Sequence, residues 1–146
     1  MTQTDDPVFS VLNEINICAQ LSANAFERVM PESMTLAQFV VLNHFVRLGG
    51  ARRPGDLARA FQVNKSTMAS TLARLESKGL VRRRADDADA RAARIEITPA
   101  GAKMRARCVA ALGPLIDALR ARLGREFFDA MLPGLRRLRA DLDANR

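Results

Sequence analysis

The sequence predicts a mainly α-helical chain of the α+β class, on three observations. Apolar residues recur at three- and four-residue spacings over most of the 146 residues. A short helix, a tight turn and a second helix follow one another near the middle. A charged segment with period-2 alternation comes directly after them. Hydrophobic residues make up 48% of the chain and charged residues 27%, with no Trp or Tyr. A core of Leu, Val, Ala, Met and Phe is therefore expected, in one domain spanning residues 1–146.

The elements follow in order. Residues 8–30 read as an amphipathic helix, with Asp6 as its cap, Pro7 in its first turn and Pro31 as its stop. Thr35 caps a second helix, Leu36 to Leu48, which is apolar nearly all round and therefore central; Gly49 and Gly50 end it. Ala51 to Arg53 form a short basic strand or turn. Pro54 opens a helix over residues 55–61, Gln62 and Val63 turn the chain, and Asn64 caps a helix from Lys65 to about Lys78. The segments LVRRRA and RIEIT alternate apolar and charged positions around the loop DDADARA, which makes a hairpin with a charged tip. Thr98 caps a helix from Pro99 to Leu123, with a break expected at Gly113 and Pro114, and a last helix runs from about Arg125 to Leu142. Residues 36–98 thus read as a winged helix-turn-helix, flanked by helices over 8–30 and 99–143. Those outer helices have little to pack on within one chain, so a symmetric partner is expected to cover them.

Charge is unevenly placed. Residues 1–46 hold five acidic side chains and one basic, whereas residues 47–146 hold 22 basic and 11 acidic. A basic segment of this kind suits a polyanion. No apolar stretch approaches the roughly 18–20 residues a membrane helix needs, and the polar, acidic start is unlike a secretory signal, so a cytoplasmic protein with no membrane partner is expected. Cys18 and Cys108 then read as free thiols. One His and two separated Cys make no metal set. With no Gly-rich phosphate loop and no paired-carboxylate motif, neither an enzyme nor a cofactor is expected.

The second helix of the helix-turn-helix sorts its own faces. Met68, Leu72 and Leu75 point inward, supported by Leu80. Lys65, Ser66, Thr67, Ser70, Thr71 and Arg74 point outward, a small, polar and basic face suited to a major groove.

The stretch LARAFQVNKSTMASTLARLESKGLVRR, residues 57–83, and the Asp89-Ala90-Arg91 sequence followed by ARIEITPAG resemble the MarR family of bacterial transcriptional regulators. The resemblance covers residues 8–143. Gln62 stands where the family often has Gly, and Arg53 where it often has Ser or Thr. The likeness implies a homodimeric regulator, in the simplest case a repressor, bound to a pseudo-palindromic double-stranded DNA operator with half-sites about 10 bp apart or a multiple of that. It implies that Arg91 enters the minor groove while Asp89 holds its guanidinium. In the wing Arg82, Arg83, Arg84 and Arg94 join them, with Arg53 on a phosphate. Asp86 and Asp87 in the plainer reading only solubilise the loop. The likeness also implies a small-molecule effector in a cleft, with Asn16, Asn43, His44 and Arg47 as polar candidates, although a histidine inside a buried helix is more often a core residue. Alternatives are a redox-sensing regulator through Cys18, an architectural DNA-binding protein of low sequence preference, and a helical adaptor.

Overall fold

Capping residues set most of the element boundaries in the computed structural model, which describes residues 2–89 and 91–146. Met1 and Ala90 lie outside the described residues, and with Ala90 goes the middle of the Asp89-to-Arg91 signature. Helix α1 spans Pro7–Val29, with Asp6 accepting the Val8 N–H. Helix α2, Leu36–Leu48, begins at a reciprocal cap: the Thr35 side chain accepts the Gln38 N–H at 3.2 Å, and Gln38 accepts the Thr35 N–H at 3.4 Å. Helix α3 spans Pro54–Phe61 and α4 Lys65–Ser77, where the Asn64 side chain accepts the Thr67 N–H at 2.7 Å.

Strands β1, Val81–Ala85, and β2, Ala93–Ile97, pair antiparallel with Val81 opposite Ile97 and Arg83 opposite Ile95. Arg52 adds a single bridge to Ile95, exchanging backbone hydrogen bonds of 2.9 and 2.7 Å. The expected basic segment before α3 is thus one rung of a third strand. Helix α5 spans Pro99–Ala111, α6 Gly113–Leu123 and α7 Arg125–Ala144. The break expected at Gly113 and Pro114 separates α5 from α6. Pro133 is absorbed within α7, which runs two residues beyond the expected end at Leu142.

The chain forms two compact units, one through Leu112 and one over Gly113–Arg146. The core of the first is built by Met34, Val41, Leu42 and Phe45 around α2, Leu57 and Ala58 from α3, and Met68, Leu72 and Leu75 from α4. Leu80, Val81 and Ile95 close it from the wing, and Met104 and Cys108 from α5. The inward stripe read from α4 is therefore buried as expected. Only the end of α1 joins this core, through Phe26 and the C-cap residue Met30; Val8, Phe9, Val11, Leu12, Ile17 and Leu21 remain exposed. In the second unit Phe127, Phe128, Met131, Leu132, Leu135 and Leu142 are exposed along α7.

One glycine is sterically required. A Cβ on Gly101 would overlap the Leu80 carbonyl oxygen, and would lie 2.7 Å from Cγ1 of Ile97. The Thr98 hydroxyl donates to the Gly79 carbonyl at 2.7 Å and accepts the Gly101 N–H at 3.0 Å. The Thr–x–x–Gly sequence therefore locks the base of the hairpin onto α5.

Candidate nucleic-acid interface

The outer face of α4 carries Lys65, Ser66, Thr67, Ser70 and Arg74 as exposed side chains, with Thr71 half-buried. Two hydroxyls are engaged locally. Ser66 donates to the capping oxygen of Asn64 at 2.8 Å, and Thr71 donates back to the Thr67 carbonyl at 3.1 Å.

The wing arginines fall into two groups. Arg82 Nε donates to Glu96 at 2.6 Å, and Arg84 lies 3.6 Å from the same carboxylate. The Arg82 hydrogen bond is the main reason the Glu96 carboxyl sits below its usual pKa. Arg83, on the other face of β1, donates to Glu76 of α4 at 2.8 Å. Arg53 and Arg94 both donate through Nε to one oxygen of Asp86, at 2.8 and 3.0 Å. These five hold the wing together and to its neighbours. By contrast, among the described residues the side chains of Lys65, Arg74 and Arg91 have no hydrogen-bond or ion-pair partner.

Two readings change and a third is refined. Asp89 accepts the backbone N–H of Arg91 at 2.9 Å, closing a local turn, and does not grip its guanidinium. A short carboxylate two residues away reaches the main chain more readily than the end of a long side chain. Arg53 commits its Nε to Asp86 and keeps its other N–H donors, so a phosphate contact stays open to it. Asp86, for which loop solubilisation is only the plainer of the readings, is a buried hub whose side chain is 1% exposed. Its carboxyl is drawn from 3.8 to about 2, first by the Ala88 N–H and then by Arg53 and Arg94. No sequence signal marked it beyond its place in an acidic loop.

The four polar candidates for an effector cleft are not gathered into one cluster by their contacts. Asn16 is exposed on α1. Asn43 accepts from Arg105 Nε and Nη2 at 3.2 and 3.1 Å. His44 stands edge-on to Phe61, 5.2 Å between centroids; burial, then Arg52 and Arg47, lower its pKa. Arg47 is exposed. A cavity of about 660 Å³ lies instead within the second unit, lined by Ile116, Leu119, Arg120, Arg125 and Phe128. Cys18 is exposed, whereas Cys108 is buried, and burial raises its thiol pKa.

No helix among the described residues is long and apolar enough to cross a membrane. A sequence model of the MarR family matches residues 32–92. Among solved structures, the transcriptional regulator BldR from Sulfolobus solfataricus is 26% identical over 97% of this chain and 99% of its own, with a TM-score of 0.74. BpsR from Bordetella bronchiseptica, whose DNA binding is regulated by 6-hydroxynicotinic acid, is 25% identical over 88% of this chain and 98% of its own, with a TM-score of 0.73. A MarR variant from E. coli complexed with operator DNA shares the fold, at 23% identity over 94% of this chain and 99% of its own, with a TM-score of 0.75. Fold and site define a winged helix-turn-helix transcriptional regulator. The chain is similar to the MarR family, whose model matches its residues 32–92.

Proposed function

We propose that this protein is a cytoplasmic, homodimeric repressor that binds a pseudo-palindromic double-stranded DNA operator and is released by a small-molecule effector. The observation that carries the reading is the division among its cations. Arginines within the wing are neutralised by Asp86, Glu76 and Glu96, while Lys65 and Arg74 on α4 and Arg91 at the wing tip are not. Cations without internal partners are available to displace counterions from phosphates or to enter a groove. The α4 face with Ser66, Thr67, Ser70 and Thr71 reads the major groove, and Arg91 reaches the minor groove. Asp89 shapes the turn that presents Arg91.

Dimerisation is supported by the exposed apolar residues of α1 and α7, which a symmetric partner would bury. DNA and effector binding are supported by the likeness to BpsR, whose DNA binding 6-hydroxynicotinic acid regulates.

The test is a mobility shift on DNA from just upstream of the protein's own gene, with excess competitor DNA, for wild type and Arg91→Ala. A specific shift by a dimer, weakened tenfold or more by the substitution, is expected. Binding that ignores sequence would replace this reading with an architectural role.

A further inference from the structure

We infer that Asp86 is a positioning residue for DNA recognition, a buried negative charge that strengthens binding by fixing the wing against helix α3. The inference rests on the DNA-binding reading above.

The geometry is a three-way junction. Asp86 follows β1, Arg94 lies in β2, and Arg53 immediately precedes α3. The Arg52 bridge to Ile95 brings this last segment alongside β2. Asp86 Oδ2 takes the Nε of both arginines, and its Oδ1 accepts the Ala88 N–H at 2.9 Å, so both oxygens are used. Arg94 Nη1 also donates to the Ala51 carbonyl at 3.3 Å. Arg53 takes the N-cap position of α3, yet its side chain makes no capping bond; its partner lies 33 residues away in the wing. Two guanidiniums converging on one carboxylate oxygen would repel each other without the charge between them. Each arginine keeps N–H donors beyond Nε, and their side chains are 45% and 35% exposed. The junction thus orients two cations while tying the hairpin to the helix-turn-helix.

Simple electrostatics and positioning give opposite signs. Replacing Asp86 by Asn adds one net positive charge, so charge alone tightens binding to DNA. Positioning instead loosens binding to the specific site, because the wing and its Arg91 no longer sit at a fixed distance from α4.

The experiment uses the full-length protein and a duplex selected by wild type from a random-sequence pool, with a scrambled duplex of equal length as control. Wild type, Asp86→Asn, Arg53→Gln and the double variant are compared by binding and by footprinting. For Asp86→Asn we expect at least a tenfold loss on the selected duplex and little loss or a gain on the scrambled one. Protection should fade at the flanks and persist at the half-site centres. The double variant should bind no worse than the weaker single variant, since both remove one junction. A folded Asp86→Asn that binds the selected duplex as tightly as wild type overturns the inference. If Asp86→Asn does not fold, Arg53→Gln decides alone. For Arg53→Gln, equal loss on both duplexes, with a salt slope shallower by about one contact, marks a plain phosphate ligand and overturns it. Should wild type select no duplex, it is the operator-binding reading that fails.

Discussion

Arg83 Nε donates to Oε2 of Glu76 at 2.8 Å, joining the first wing strand to the last turn of α4. Both side chains are about two-fifths exposed. An ion pair open to solvent gains little, so Glu76→Gln is expected to change unfolding free energy by less than about 1 kcal/mol. Its effect on binding should be larger than its effect on folding. Arg83 would lose its neutralising partner, and affinity for bulk DNA should rise at low salt. Because exposed charges are screened, the gain should vanish as ionic strength increases. Titrations of wild type and variant at two salt concentrations check this; a gain that persists at high salt would contradict it.

Gly101 makes the opposite kind of contact, one with no tolerance. Its missing Cβ leaves room for the Leu80 carbonyl oxygen, which itself accepts the Thr98 N–H at 3.1 Å. Gly101→Ala must push α5 away from the hairpin base. We expect a loss of about 1–3 kcal/mol, the usual range for overpacking. In a urea titration this appears as a lower midpoint with an unchanged slope. Gly79→Ala should also destabilise, but for the different reason of its φ of 71°, since no atom lies near its missing Cβ.

The contrast shows what was legible in the sequence. Caps such as Asn64 and Thr98, the stripe Met68–Leu72–Leu75 and the Thr–x–x–Gly signature are local, and local spacing specifies them. The outward face of α4 follows from the same periodicity. The pairing of charges is not local. Arg53 and Asp86 meet beside the Arg52–Ile95 bridge, far from each other in sequence, so composition cannot separate a wing arginine that is neutralised from one that is free. For the same reason the sequence alone does not set Asp86 apart from other loop acids, does not reveal that Arg105 holds Asn43, and does not separate a turn-closing Asp89 from one that grips a guanidinium.

Acid should unlock the Asp86 junction in a defined window. The folded carboxyl titrates at about 2, against 3.8 ordinarily. A depressed folded value means the charged form is favoured by folding, so its stabilisation is complete above the unfolded value. It is lost as pH falls from 3.8 toward 2. Glu96, lowered chiefly by its bond from Arg82, acts in the same direction. Thermal unfolding followed at stepped pH should therefore show little Asp86-dependent change from neutrality down to pH 4 or so. Below that, wild type should lose stability more steeply than Asp86→Asn. Parallel acid limbs for the two proteins would show that the junction does not contribute to folding.

The turn between α3 and α4 offers a substitution that should stabilise. Gln62 occupies the left-handed region at φ 53° and ψ 42°. An L-residue with a Cβ there is disfavoured by about 1–2 kcal/mol, and glycine is not. Against the exchange stand the Gln62 side-chain amide, which donates to the Arg59 carbonyl at 2.9 Å, and the added freedom of glycine in the unfolded chain. The hydrogen bond is exposed and contributes only a fraction of its gross strength. Gln62→Gly is therefore expected to stabilise the protein by up to about 1 kcal/mol. Gln62→Ala keeps the backbone strain and loses the hydrogen bond, so it should destabilise by a similar amount. Urea midpoints ordered Gly above Gln above Ala would assign the cost of this turn to backbone conformation. Gly falling below Gln would show instead that the side-chain bond to Arg59 governs it.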